Sequence, residues 1–222
     1  MIRVHVICEG QTEETFVNEL LAPVFMPKGI FLLPSLVGKP GHKGGNFKIE
    51  RLQTDVRNRL LGDSSCYCTT FFDFYGLPAS FPGKQVASSL TQMLEKAQTV
   101  QQAMQLELEG FVGENALRRF IPYVQMYEFE ALLFSSPVAF ASGVGRVDLE
   151  PKLSQITSSF PTPEYINDSP QTAPSKRIES LIPGYEKPLM GSLAALEVGL
   201  TTMREKCELF NQWLNNIEEL AV

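Results

Sequence analysis

Residues 3–8, Arg-Val-His-Val-Ile-Cys, are a β-branched, apolar run of the kind that forms a strand buried on both faces, and the run stops at Glu9-Gly10. A helix start follows at once. Thr12 reads as its N-cap, Glu13 and Glu14 occupy the first turn where the dipole favours carboxylates, and Phe16, Val17, Leu20, Leu21 and Val24 mark one face before Pro23 and Pro27 bound the end. The order then repeats: a strand over 30–37, a helix over 47–61, a strand over 68–74, a long helical segment over 85–108 and a fourth strand over 120–125. This alternation predicts an α/β fold with a parallel sheet and right-handed crossovers, whose ligands bind beyond the carboxyl ends of the strands. Glu9 and Asp73 stand at two such ends.

With 222 residues, 44% of them hydrophobic and 20% charged, the chain can bury a sizeable core and lies outside the disordered range. The pattern divides it into an α/β core over 1–135 and a helical, loop-rich portion over 136–222 packed on that core. Within the latter, prolines 161, 163, 170 and 174 predict a long irregular excursion over 151–188. A closing helix carries Met203, Cys207, Phe210, Leu214 and Ile217 after a Thr202-x-x-Glu205 capping box, with Trp213 packing beside that stripe. Cys8, Cys66, Cys68 and Cys207 form no C-x-x-C pair and have no histidine at zinc-finger spacing, which predicts reduced thiols in a cytoplasmic protein. The longest apolar stretch, 29–37, is broken by Pro34 and is too short for a bilayer.

The net charge of −6 argues against a general nucleic-acid coat protein, yet residues 39–59 hold six basic side chains against two acidic ones. Lys39, His42, Lys43, Lys48 and Arg51 lie in or beside a loop with four glycines between 38 and 46. Such a loop suits phosphate, from a nucleic-acid backbone or a nucleotide, and equally suits a solvated basic face; no P-loop pattern is present. Lys176 and Arg177 make a smaller basic spot, read either as part of a lid or as the start of an ordinary helix at Ser175.

A carboxylate at the exit of a buried strand is costly unless a cation or proton shares it, so Glu9 and Asp73 read either as magnesium ligands or as turn caps facing solvent. Val6-Ile7-Cys8-Glu9-Gly10-Gln11-Thr12-Glu13 resembles the first motif of Toprim domains, especially the branch found in overcoming-lysogenization-defect (OLD-type) nucleases. Phe71-Phe72-Asp73-Phe74-Tyr75-Gly76-Leu77-Pro78 resembles their aspartate-bearing second motif. Tyr127-Glu128-Phe129-Glu130-Ala131-Leu132-Leu133-Phe134 is similar to the segment that follows in a family of small uncharacterised Toprim-like bacterial proteins. The resemblance implies a Toprim-like core in which Glu9 serves acid/base chemistry or metal binding and Asp73 is the leading aspartate of a magnesium-binding Asp-x-Asp pair. Tyr75 occupies the second aspartate's place, and a phenol is a poor magnesium ligand. Glu128 or Glu130 is the candidate replacement: on a strand the two share a face, whereas at a helix start only one points inward and dipole complementation explains the pair as well.

The implied function is a nuclease or related phosphoryl-transfer enzyme using Mg2+, or Mn2+ in its place, of the sort associated with phage and mobile-element defence. An OLD-type ATPase is the implied protein partner. The alternative is an inert Toprim scaffold that binds nucleic acid or a partner ATPase through the same face. Both require Glu9 and Asp73 on adjacent parallel strands, with Lys39, Lys43, Lys48 and Arg51 along the same cleft.

Overall fold

The β-branched run at the start of the chain becomes β1 (Ile2–Cys8), whose Val4, Val6, Ile7 and Cys8 are fully buried. The computed structural model describes residues 1–38, 48–167 and 171–221 and resolves into two units, Met1–Val124 with Trp213–Val222, and Gln125–Gln212. The second unit is thus inserted within the sequence of the first.

In the first unit, α1 (Gln11–Phe16) runs through a π turn (Val17–Leu21) into α2 (Ala22–Phe25). The widened turn precedes Pro23, and the α-helix ends at Phe25, between the two prolines that the sequence sets as bounds. The helix also starts earlier than Thr12 implies, because Gly10 is the N-cap and its N–H is taken by Glu13 at 2.9 Å. β2 (Ile30–Leu36) follows, then α3 (Ile49–Gly62), β3 (Cys66–Asp73), α4 (Lys84–Ser89), α5 (Met93–Val112) and α6 (Glu114–Leu117). The helix expected over 85–108 is two helices, because the Ser88 and Ser89 hydroxyls bond the Lys84 and Val86 carbonyls and compete with its continuation.

β4 (Phe120–Ile121) and β5 (Val124–Gln125) replace the single strand expected over 120–125. Pro122 has no N–H for a ladder, and threonines of β3 take over: Thr69 donates to the Ile121 carbonyl at 2.6 Å and Thr70 to that of Tyr123 at 2.7 Å. The sheet order is β2-β1-β3-β4, with β5 also pairing β3; the β1–β2, β1–β3 and β3–β4 pairs are parallel. This is the α/β arrangement that strand–helix alternation dictates.

Val37 N–H bonds the Cys8 carbonyl, so the odd-numbered residues of β2 face β1 and Pro34 falls on the outer edge, where a missing N–H breaks no ladder bond. Arg119 ties the end of α3 to β3 by donating to the Leu60, Asp63 and Cys66 carbonyls. Trp213 stacks on Tyr123 at 4.3 Å between ring centres, tilts against Phe71, and donates its indole N–H to Thr69 at 2.8 Å.

The second unit is built around the 3-10 segment Phe129–Ser135, all of it buried, with α7 (Pro137–Gly143), α8 (Glu150–Ser158), α9 (Pro174–Leu181), α10 (Ser192–Val198) and α11 (Leu200–Lys206) about it. Helices therefore occupy much of the stretch whose prolines predict an irregular excursion; Pro151 and Pro174 sit in first turns, where a missing N–H costs nothing. Gly143 lets α7 lie directly on α10, since a Cβ there would meet the Ala194 Cα at 2.7 Å. Thr202 lies inside α11 and caps nothing; the chain extends at Cys207 and restarts as α12 (Glu208–Glu218). No described helix is long and apolar enough to cross a membrane.

Candidate functional site

Parallel pairing of β1 with β3 brings Cys8 opposite Phe71, so both strands run out at one edge with Glu9 just past the first and Asp73 closing the second. Glu9 N–H still bonds the Phe71 carbonyl at 3.2 Å. Asp73 N–H is the next group on β3 that faces β1, but β1 has already turned toward α1. The Glu9 side chain fills the gap: its Oε2 accepts from Asp73 N–H at 3.0 Å, extending the ladder by one bond with a carboxylate in place of a carbonyl. Asp73 is buried and Glu9 is half-buried.

Gly76 closes the turn by donating its N–H to the Asp73 carbonyl. A Cβ at Gly76 would stand 2.0 Å from Glu9 Oε1, so the carboxylate rests against bare backbone. Lys84, the first residue of α4, is buried beneath the same turn, donates to the Phe74 carbonyl and sits 3.2 Å over the centre of the Phe74 ring. Burial, and then the charge of Lys96, lower the Lys84 amine to about 7, while Glu9 acts in the opposite direction. In the sequence Gly76 reads only as part of the second motif and its turn, and Lys84 does not stand out. The available signal was a glycine three residues after the strand-ending carboxylate and a lysine in the next helix's first turn.

Of the basic group, Lys39, His42 and Lys43 lie outside the described residues. Lys48 is exposed at the N-cap of α3, and the stem of Arg51 runs along Gly38, just past the exit of β2. Gly38 N–H is held by Asp55 at 2.7 Å, and Asp55 also pairs with Arg59 at 3.2 Å. Because β2 neighbours β1, Arg51 stands one strand along the edge from Glu9.

In the second unit Glu128 is extended and Glu130 lies in the first turn of the 3-10 segment, so the two do not share a strand face. The Glu128 carboxylate accepts from the Ser175 N–H at 2.7 Å and its hydroxyl at 3.0 Å, complementing the start of α9 rather than of its own segment. Glu130 is fully buried with Lys187 at 3.3 Å, and burial raises its carboxyl well above the ordinary range against the opposing pull of that ammonium. Lys176 pairs with Glu179 at 2.7 Å, and Arg177 donates to the Thr172 carbonyl and lies over the Phe160 ring. The four cysteines are buried and reduced, and burial pushes the Cys68 thiol up to about 12. Among the described residues no group of three or more His, Cys, Asp and Glu side chains is placed to hold a metal ion.

The family model described as a domain of unknown function, DUF4276, matches residues 8–218. The chain belongs to that family. No curated protein and no solved structure matches it.

Proposed function

Starting from membership of a family with no assigned activity, we propose that the first unit is a Toprim-like core carrying out metal-dependent phosphoryl transfer, nuclease cleavage of a nucleic-acid phosphodiester being the leading case. The observation that carries the reading is the delivery of Glu9 and Asp73 to one sheet edge by adjacent parallel strands, joined by the Glu9 to Asp73 N–H bond. Two carboxylates suit Mg2+ or Mn2+, which keep several waters and take further oxygens from substrate phosphate. When bound, such an ion polarises the phosphoryl oxygen and makes its water a nucleophile near neutral pH. Glu9 and Asp73 would hold it, and Lys48 and Arg51 at the neighbouring exit would neutralise the phosphate backbone. Glu128 and Glu130 already serve Ser175 and Lys187, so the ligand set proposed is Glu9 and Asp73 alone.

A second reading is an inert scaffold that binds nucleic acid or a partner ATPase of the OLD type. Tyr75 in the second aspartate's place favours it, and the ladder bond gives Glu9 a structural use independent of any ion. To separate the two, linear DNA, supercoiled DNA and RNA are incubated with Mg2+ or Mn2+ and the native protein, Glu9→Gln or Asp73→Asn. Metal-dependent cutting lost in both variants, with the fold intact, is the expected result. Cutting that survives either substitution removes the site, and nucleic-acid or ATPase binding without cutting selects the scaffold.

A further inference from the structure

The turn over residues 73–76 is gripped from two directions. Glu9 takes the Asp73 N–H and lies against Gly76; Lys84 bonds the Phe74 carbonyl and covers the Phe74 ring, with the Tyr75 ring centre 5.9 Å from its ammonium. The lysine's own base is fixed too. Gly83 takes φ +75°, and a Cβ there would meet the Thr99 carbonyl oxygen at 2.7 Å, so the start of α4 is seated directly on α5. A long, flexible side chain held at both its root and its tip has lost the freedom that surface lysines keep.

Burying an ammonium is expensive, and one carbonyl with one ring face compensates only in part. Glu9 is the acidic group acting to retain its charge. We propose that Lys84 is a positioning residue and the built-in counter-charge of the strand-exit site: it pins the turn that carries Asp73 and opposes the Glu9 carboxylate, in competition with any divalent cation entering beside Glu9 and Asp73. The positioning half stands on the fold alone, while the competition half rests on the metal reading above.

Both halves can be tested on the full chain with Lys84→Met, which keeps the apolar stem and removes the charge, and Lys84→Arg, which keeps the charge. The sole tryptophan, Trp213, is buried in the first unit and reports its unfolding. Thermal midpoints are read for Lys84→Met in the native and Glu9→Gln backgrounds. The expected result is a shift at least several degrees less favourable when Glu9 is present, since each kcal/mol of coupling moves a chain of this length by about 2–4 °C. Equal shifts in the two backgrounds overturn the counter-charge.

Calorimetric titration with Mn2+ tests the competition. Lys84→Met is expected to bind about three- to tenfold more tightly than the native protein, through loss of a nearby like charge, and Lys84→Arg to bind as the native protein does. A lysine that merely packs gives unchanged or weaker Mn2+ binding in Lys84→Met, which overturns the competition. If the native protein binds no Mn2+ while the thermal coupling is present, the metal reading and the competition fall and the positioning role stands. If Mn2+ binding is lost in Glu9→Gln and Asp73→Asn but Lys84→Met shows neither effect, the metal reading stands and the proposal for Lys84 falls.

Discussion

In the first unit burial draws an amine, Lys84, toward neutrality; in the second unit it does the same to two carboxyls, Glu130 and Glu164. Each is tied to backbone or to an opposite charge, but their protons respond to pH in opposite senses. Lys84 is lowered from 10.5 to about 7. At Lys84 the unfolded chain therefore binds more protons than the folded one between those values, and the contribution of Lys84 to the first unit's stability grows as pH rises through that window. Glu164 is raised from 4.5 to about 7 by burial, against the N–H groups of Phe210 and Leu209 that bond its carboxylate. The folded state binds more protons there, so the second unit loses stability as pH rises from 4.5 to 7. The two groups thus act in opposite senses, Lys84 favouring its unit as pH rises and Glu164 favouring its own as pH falls.

The severest way to break this comparison is to remove the anchor of one unit and watch the other. Trp213→Ala deletes the stack on Tyr123 and the bond to Thr69, with an expected cost of about 3–5 kcal/mol to the first unit. Hydrogen exchange at amides of the second unit reads whether the loss is confined. Glu164→Ala is expected to cost about 2–4 kcal/mol, because two buried N–H groups at the start of α12 lose their acceptor. Denaturant unfolding measures it, and a cost under 0.5 kcal/mol means other groups cap that helix.

The pH windows sharpen the comparison further. The thermal-midpoint advantage of the native protein over Lys84→Met should grow from pH 7 to 10.5, and its advantage over Glu164→Gln should shrink from pH 4.5 to 7. Slopes unchanged by either substitution place the titrating groups elsewhere. The smallest expected effect is Gly76→Ala, at about 1 kcal/mol, since the added methyl can be met by displacing the end of Glu9 and giving up its bond to Asp73 N–H. In a Glu9→Ala background the same change should cost nothing measurable.

The sheet was legible because β1 and β3 are rich in β-branched and aromatic residues and because each stops at a carboxylate. Glu9 and Asp73 could be placed at strand exits from that alone, whereas their adjacency was an expectation of the Toprim resemblance. Lys84 could not, since a lysine after Phe-Pro-Gly at a helix start looks like any surface residue until the Phe74 carbonyl and ring close over it. The restart of the chain at Cys207 was equally hidden. No glycine or proline marks it, and its cap comes from Glu164, more than forty residues earlier in the sequence. Local pattern reports which faces must be buried; it does not report which distant side chain will satisfy a helix end.

The interrupted first unit has a consequence for synthesis. The sheet strands are made first, but the tryptophan that covers Tyr123 and Phe71 leaves the ribosome only after the whole of Gln125–Gln212 has been translated. During that interval the nascent chain carries an unroofed aromatic surface, and the second unit is itself incomplete until Gln212, the residue before Trp213, has been added. For the first unit, the speed of translation through the inserted segment sets how long that surface stays exposed to other chains.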